Sequence, residues 1–207
     1  MNGDQWANPQ KMWDERFALA EAVYGEEPNA YLRAQVHRFA SGCKILVPGD
    51  GYGRNGLWLA KQGFRVSTVD LSPVGVERAR KSAEAAGLAM TIDMADLATW
   101  TWPVGNFDAV ASIFLHLPPD LRPAIHEKML AALKPDGQLL IEAFTPAQLQ
   151  HSSGGPKQVE MLYTAEILRK DFAAAEVLEL LEVETHLEEG RMHSGRAAVV
   201  RGVFRKR

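Results

Sequence analysis

Short runs of apolar residues alternate along this chain with stretches in which apolar residues recur every three or four positions. The first pattern predicts buried strands, and the second predicts amphipathic helices. Runs of the first kind predict strands at residues 43–47, 65–69, 90–94, 107–113 and 138–144. Helical spacing predicts helices at 55–62, from Ser72 and Pro73 to Gly87, and across Leu121, Ile125, Met129 and Leu133. Such alternation favours a mostly parallel sheet with helices on both faces.

Both ends of the chain depart from this alternation. Ahead of the first strand, helical spacing relates Trp13, Phe17, Ala20 and Tyr24, and then Leu32, Val36 and Phe39. After a turn at 134–137 and the fifth strand, residues 145–157 are rich in serine, glycine and proline and predict a mobile loop. A helix at 164–172 and strands at 177–185 and 196–204 follow, and the strands predict an antiparallel hairpin that closes a seven-stranded sheet. We predict a single domain over 1–207, with helices at 1–40 and an α/β core at 41–207.

Composition and charge narrow the range of partners. The chain is 46% hydrophobic and 24% charged, and its net charge of -3 gives no broad attraction to nucleic acid or to anionic lipid. The polar N-terminus and the lack of a long apolar run predict a cytoplasmic protein without a membrane segment. Cys43 is expected to be a buried packing residue, and the spacing of histidines, cysteine and carboxylates predicts no structural metal. A small molecule is therefore the expected partner.

A glycine-rich turn follows the first predicted strand. Gly49, Gly51 and Gly53 remove side chains where a ligand would approach the backbone, and they permit positive φ angles. A tight structural turn is the alternative interpretation. Because Gly51, Gly53 and Gly56 also satisfy the dinucleotide pattern GxGxxG, an NAD(P)- or flavin-dependent oxidoreductase is a candidate at this point.

Acidic residues at the next strand ends favour a different cofactor, S-adenosylmethionine (SAM). Asp70 closes the second strand 19 residues after Gly51, where a carboxylate accepts hydrogen bonds from an adenosine ribose. Asp70 could instead cap the following helix, although Ser72 is better placed to do so. Asp96 could accept from the adenine amino group or be a solvated loop residue, and Leu71 and Leu97 could enclose the ring. Asp96, the closing hairpin and the lack of length for a second half-domain favour SAM over a dinucleotide.

Five segments carry a family resemblance in their order and spacing: 47–55, 68–72, 94–97, 107–117 and 133–143. They resemble the motifs of Rossmann-fold, class I SAM-dependent methyltransferases. Two further motifs resemble those of a small bacterial branch related to tellurite-resistance and thiopurine methyltransferases. They are residues 13–17 and the arginine and asparagine after the glycine turn. The resemblance implies a doubly wound, mostly parallel seven-stranded Rossmann-like sheet with a C-terminal hairpin and an N-terminal helical lid. It also implies methyl transfer to a small acceptor, such as a thiol or a chalcogen oxyanion. A SAM-binding module without catalysis is a further alternative.

The resemblance also assigns cofactor-binding candidates. Where many such enzymes carry an acid, this chain has Val47 followed by Pro48, so another group must hold the methionine ammonium. Candidates for cofactor contacts are the carbonyl groups of Gly49 and of Ser112 to Phe114, the Asp50 carboxylate, and Asn55. The resemblance implies a lid that contains Trp13, Arg16 and Tyr24. Alternatively, the two aromatic residues, Trp13 and Tyr24, belong to the core. Arg16 would pair with the methionine carboxylate, or else with Glu15 or water.

The expected chemistry asks little of catalytic side chains. A sulfonium methyl is already electrophilic, so the protein mainly aligns the nucleophile and excludes water. A thiol attacks after losing its proton, whereas an amine or hydroxyl acceptor requires a base. His116, after the fourth strand, is the first candidate for this role, and His193, near the hairpin turn, is the second. We expect His37, His126 and His151 at the surface, and a monomer or homodimer.

Overall fold

The computed structural model describes residues 8–19 and 21–207. Seven strands form one sheet in the order β3-β2-β1-β4-β5-β7-β6. Their bounds are β1 Lys44–Pro48, β2 Arg65–Asp70, β3 Thr91–Met94, β4 Phe107–Ile113, β5 Leu133–Phe144, β6 Ala175–Glu188 and β7 Ser194–Lys206. The first five strands run parallel, while β7 is antiparallel to both β5 and β6. The mostly parallel sheet with a closing hairpin is therefore confirmed.

Six α-helices are present in the described part of the chain: α1 Pro9–Phe17, α2 Ala30–Gln35, α3 Arg54–Lys61, α4 Pro73–Ala85, α5 Arg122–Ala132 and α6 Ala165–Asp171. Short 3-10 turns lie at Val36–Arg38, Pro146–Gln150 and Val159–Met161. The predicted start of α4 is confirmed, since the Ser72 hydroxyl accepts a hydrogen bond from the N–H of Gly75 at 3.1 Å. From β1 to α6 strands alternate with helices, except that a segment without a helix joins β3 to β4, and the hairpin of β6 and β7 follows.

Buried side chains cover both faces of the sheet. On one face, Leu46 and Val110 pack in a cluster that extends to Ile125 and Met129 of α5. On the other face, Ile45, Val47 and Leu59 share a cluster with Cys43 and residues of α2. Burial on both faces explains why the parallel strands have continuous apolar sequences. Burial raises the pKa of the Cys43 thiol to about 11, in keeping with a packing residue.

Two helices are shorter than their spacing predicted. The first ends at Phe17 instead of continuing to Tyr24, and Ala20 lies outside the described residues. In α5, Leu121 is only the N-cap and is 37% exposed, while Leu133 already belongs to β5. Residues 134–137 are not a separate turn but an irregular part of β5, where Asp136 has φ of 63° and the register with β4 shifts.

His126 was expected at the surface, and that prediction is wrong. Its side chain is fully buried, with Nδ1 2.8 Å from Oδ2 of Asp171 and the ring stacked on Phe172 at 4.7 Å. The reason is that α5 turns this position towards α6. By contrast, His37 is exposed on its 3-10 turn, as expected.

The predicted loop at 145–157 is held against β7. The Gln148 side chain accepts a hydrogen bond from the N–H of Ala198 at 2.9 Å, and the Ser153 hydroxyl donates to the carbonyl of Arg196 at 2.6 Å. Its mobility stays a prediction. Across residues 8–19 and 21–207, no helix is long and apolar enough to cross a bilayer. The same residues contain no cluster of three or more metal-ligating side chains, and the absence of a metal stays a prediction.

Candidate active site

The turn between β1 and α3 requires glycine for two physical reasons. Gly49 and Gly51 have φ of 68° and 59°, a region that other residues rarely adopt. A Cβ atom on Gly49 would lie 2.8 Å from Cδ1 of Leu115, and one on Gly51 would lie 2.7 Å from the Phe17 ring. Phe17 thus packs α1 directly onto the turn, as a covering segment would.

Asp70 ends β2 beside this turn and is almost fully buried. Its Oδ2 accepts a hydrogen bond from the N–H of Gly51 at 2.8 Å, and its Oδ1 accepts from the N–H of Ser72 at 2.9 Å. Burial raises the pKa of the carboxyl, and the two amides oppose that rise. The amides fix the orientation of the carboxylate and leave each oxygen with further accepting capacity.

Asp96, Leu97 and Leu71, the proposed adenine contacts, lie beyond β2 and β3. Asp96 is exposed, and its Oδ1 accepts a hydrogen bond from the N–H of Ala98 at 2.8 Å. Leu97 is buried in the core with Trp102, whose indole N–H donates to the Leu97 carbonyl at 2.9 Å. Leu71 is half-buried. Their adenine role stays a prediction, and Leu97 is the least accessible of the three.

A cavity of about 410 Å³ opens beside the glycine turn. Its walls come from the turn itself, α1, the end of β4, residues 152–157 and the hairpin turn at 191–193. Nine predicted site residues line it: Trp13, Arg16, Gly49, Asp50, Gly51, Asn55, Phe114, His116 and His193. Its lining does not include Gly53, Asp70, Leu71, Asp96, Leu97 or Ser112. The structure therefore brings together the candidates for the methionine end and the acceptor.

Asp50, which lines the cavity, has one carboxylate oxygen without a hydrogen-bond partner. Its Oδ2 accepts a hydrogen bond from the N–H of Gly56 at 2.9 Å, whereas Oδ1 is buried without a hydrogen-bond partner in the described part of the chain. Burial raises the pKa of the Asp50 carboxyl to about 7, and the charge of Asp70 adds to that rise. A buried carboxylate oxygen is costly unless it is paired, so this position suits a cationic group such as an ammonium.

Aromatic rings form much of the rest of the wall. The His193 ring lies 4.7 Å from Tyr24 and 4.6 Å from Phe114, and Phe114 stacks on Phe144 at 4.5 Å. Phe114 has φ of 50°, a strained backbone conformation for a bulky residue that costs roughly 1–3 kcal/mol. Phe144 was missed by sequence reasoning, although it ends β5 at the edge of the sheet where ligands bind.

Neither candidate histidine is a ready base. Nδ1 of His116 lies 2.7 Å from the Met161 carbonyl, and Nε2 accepts from the N–H of Phe144 at 3.2 Å. Burial lowers the pKa of His116 to about 4. For His193, burial and then the charge of Arg54 lower the pKa to about 3, and its Nδ1 is buried without a partner among the described residues. Both rings are therefore neutral at pH 7.

Arg16 provides a cation at the rim of the cavity. Its Nη1 donates a hydrogen bond to the Tyr24 hydroxyl at 3.1 Å, and its guanidinium lies 5.1 Å from the centre of the Trp13 ring. Arg191, at the hairpin turn, also lines the cavity and pairs with Glu21 at 3.1 Å. No local sequence pattern indicated Arg191, because only the folded hairpin brings it here.

A mostly parallel sheet with this strand order, a glycine turn after β1 and a buried acid ending β2 is typical of enzymes that bind nucleoside-containing cofactors at the carboxyl edge. Comparison with known proteins adds a family match. Residues 45–137 match the methyltransferase domain family. That part of the chain therefore has the sequence of a methyltransferase domain, and SAM is the cofactor that the matched family and the fold imply.

The relatives and a solved structure agree with this family. The chain is 30% identical over 116 residues to probable thiol methyltransferase 2 of Arabidopsis thaliana, covering 55% of this chain and 50% of that protein. It is 29% identical over 129 residues to thiocyanate methyltransferase 1 of Brassica oleracea, covering 60% and 56%. The chain thus spans about half the length of the curated relatives it matches. A SAM-dependent methyltransferase structure from Methanosarcina mazei shares the fold, with a TM-score of 0.69, 16% identity and coverage of 87% and 98%.

Proposed function

We propose that this protein transfers the methyl group of SAM to a small, soft nucleophile that attacks in its deprotonated form, a thiolate in the first instance. The observation that carries the proposal is the state of the two histidines in the cavity wall. His116 uses both ring nitrogens, and burial lowers the pKa of His193 to about 3, which makes its ring a weak proton acceptor. An amine or hydroxyl acceptor would need a base with a pKa near neutral. A thiolate needs none.

Three groups of the cofactor, its ribose, its ammonium and its carboxylate, would each have a polar partner in this protein. Asp70 would accept hydrogen bonds from the ribose hydroxyls, and the unpartnered Oδ1 of Asp50 would receive the methionine ammonium. The Ser112 hydroxyl, buried and also without a partner within residues 8–19 and 21–207, is a further polar group near the end of β4. Arg16 would pair with the methionine carboxylate. Bound SAM supplies a sulfonium methyl that the acceptor takes up by direct displacement.

The protein's own contribution is alignment and exclusion of water. Tyr24, Phe114, Phe144 and the neutral His193 ring give the acceptor end an apolar, polarisable wall. Such a wall suits a soft sulfur atom better than a strongly hydrated oxygen or ammonium group. The names of the two plant relatives, which concern a thiol and thiocyanate, support a sulfur acceptor. A chalcogen oxyanion is the second candidate.

A ligand panel tests the cofactor and the acceptor separately. Thermal shift should show stabilisation by SAM and S-adenosylhomocysteine but not by NAD(H), because only a ligand that binds the native state raises the midpoint. Formation of S-adenosylhomocysteine is then measured with thiols, hydrosulfide, thiocyanate, tellurite, selenite and amines. Turnover of thiols with a rate that follows the acceptor's thiol pKa supports the proposal. Turnover of amines alone would contradict it, and binding without any turnover would favour a SAM-binding module.

We also propose that residues 1–207 act as one domain, in which 1–40 serve as the lid and 41–207 as the core. Support comes from Phe17 against Gly51 and from the hydrogen bond between the N–H of Asn29 and Oδ1 of Asn55 at 2.9 Å. Cytoplasmic location, a monomeric or dimeric state and the lack of nucleic-acid binding stay predictions. Fractionation, light scattering and gel-shift assays test them.

A further inference from the structure

Asn29 joins three separate parts of the chain and is fully buried. Its backbone N–H donates to Oδ1 of Asn55 at 2.9 Å, and its Oδ1 accepts from the N–H of Leu32 at 2.8 Å. Its Nδ2 donates to Glu142 at 2.5 Å and to Glu189 at 3.0 Å. Every polar group of Asn29 therefore has a partner.

Glu189 is the second centre of this network. It lies in the turn between β6 and β7, and its carboxylate is 5% exposed. Its Oε2 accepts from Nη2 of Arg54 at 2.6 Å, and its Oε1 accepts from the N–H of Ala30 at 3.0 Å as well as from Asn29. Arg54 is the first residue of α3, immediately after the glycine turn. Glu189 thus ties the hairpin turn to the start of the cofactor-binding helix.

The backbone of the hairpin turn fits closely against the N-terminal segment. The N–H of Met192 donates to the Val23 carbonyl at 2.9 Å, and a Cβ atom on Gly190 would lie only 2.2 Å from the nitrogen of Gly25. The N–H of Glu189 donates to the His193 carbonyl at 2.8 Å. The residue that binds Arg54 therefore also fixes His193, a wall of the acceptor cavity.

The charges in this network balance each other, but their burial has an unfavourable desolvation free energy. Glu189 pairs with Arg54, and Glu142 pairs with Arg201 at 2.7 Å. Buried ion pairs contribute little net stability compared with apolar packing, because desolvation offsets their attraction. Their directional contacts do fix geometry. In this protein, these contacts fix the position of the hairpin turn relative to the glycine turn.

Resting on the proposed function, we propose that Asn29 and Glu189 are positioning residues, which hold the hairpin turn 189–193 in place against the glycine turn. They thereby set the position of the acceptor relative to the transferable methyl. Neither residue needs to touch the reacting atoms. Loss of the contact displaces the acceptor wall and leaves the cofactor contacts of Asp50 and Asp70 in place.

The test compares Glu189→Gln with Glu184→Gln, which removes an exposed pairing with Arg196 on the same hairpin. Calorimetry with S-adenosylhomocysteine gives the affinity and the fraction of binding-competent sites, and turnover is expressed per binding site. For Glu189→Gln we expect affinity for S-adenosylhomocysteine within threefold of wild type. We expect kcat per binding site to fall at least tenfold, with a raised acceptor KM. Glu184→Gln should match wild type in all three quantities.

A second variant, Gly190→Ala, keeps the network charges and pushes the turn away from Gly25. It should reproduce the loss of kcat per binding site. A fourth readout does not depend on turnover: S-adenosylhomocysteine should slow hydrogen exchange at 189–193 in wild type and not in Glu189→Gln. Unchanged kcat per binding site and unchanged exchange in both variants, alongside lowered melting temperatures, would show a merely structural network. If the wild-type protein shows no turnover, the proposed function is refuted. The hydrogen-exchange experiment would still test whether Asn29 and Glu189 hold the hairpin turn in place.

Discussion

The N–H of Gly51 donates a hydrogen bond to Oδ2 of Asp70 across 2.8 Å. The acid that ends β2 is therefore already part of the glycine turn before any ligand arrives. Its carboxylate is oriented by two backbone amides and buried against the sheet edge. Pre-orientation of this kind reduces the entropy lost when a ligand binds.

Replacing this acid should damage cofactor binding more than it damages the fold. For Asp70→Ala we expect the Kd for S-adenosylhomocysteine to rise by roughly 10- to 100-fold, the cost of one or two charge-assisted hydrogen bonds. Titration calorimetry measures the change, with the exposed Asp120→Ala as a matched control. An unchanged Kd in folded Asp70→Ala would show that the ribose binds elsewhere.

Asp50 gives cofactor binding a dependence on pH. Its pKa of about 7 means that the carboxylate charges as pH rises through 7, while the α-ammonium of S-adenosylhomocysteine, which lies beside its own carboxylate, keeps its proton well above that pH. Affinity for S-adenosylhomocysteine should therefore rise through pH 7 and level off above it. It should weaken by up to about tenfold per pH unit below 7. In Asp50→Asn the acidic limb should disappear and the Kd at pH 7.5 should rise about tenfold. Calorimetry from pH 5.5 to 9 tests this, and an acidic limb that survives in the variant would rule out Asp50 as the ammonium partner.

Arg16 should act on the cofactor rather than on the acceptor. Arg16→Met keeps much of the apolar stem beside Trp13 and removes the charge. We expect the Kd for S-adenosylhomocysteine to rise roughly 10-fold, as for loss of a partly buried ion pair, with acceptor KM within threefold at saturating SAM. Steady-state kinetics and calorimetry separate the two. If acceptor KM rises while the Kd stays constant, Arg16 contacts the acceptor instead.

His116 should influence stability and not the protonation step. Removing its two buried hydrogen bonds in His116→Gln should cost about 2 kcal/mol of the free energy of unfolding. Because the pKa of His116 is about 4, the pH profile of kcat between 5.5 and 8 should be the same in variant and wild type. A wild-type limb in this range that the variant lacks would restore His116 as a base.

His193 should make the fold sensitive to acid. Its pKa of about 3 lies below the value of about 6.5 for an unfolded chain, so the unfolded state binds more protons as pH falls below 6.5. Wild type should lose about 1 kcal/mol of unfolding free energy per pH unit relative to His193→Phe between pH 6.5 and 4.5. Urea unfolding measures this difference, which should be constant above pH 7.5. A difference that does not change with pH would mean that His193 titrates normally in the folded protein.

Much of the fold could be predicted because its signals are local. The strands at Arg65–Asp70 and Phe107–Ile113 lie within one residue of their predicted bounds, since burial on both faces produces continuous apolar runs. The helix beginning at Pro73 was indicated by its cap and first-turn proline. Predictions failed where spacing continued past a helix end, as at Leu121 and Leu133, because a periodic pattern does not mark where a helix stops.

The candidate site could be predicted only in part. The glycine turn and Asp70 lie close in sequence, and their strand ends meet at one edge of any parallel sheet. The condition of the histidines was not predictable, because it depends on partners far along the chain. His116 contacts the Met161 carbonyl, which is 45 residues further along the chain. His126 contacts the carboxylate of Asp171, which is also 45 residues further along.

By itself, the sequence determined the order of strands and helices, the glycine turn and the acid that faces it, since hydrophobic periodicity and backbone conformation act over a few residues. Only the tertiary structure decided which carboxylate oxygen lacks a partner, which histidines have lowered pKa values and which segments line the cavity. Glu189 meets Arg54 across 135 residues of sequence. Burial and pairing of this kind come from the packing of distant segments, and they set the electrostatics on which the chemistry depends.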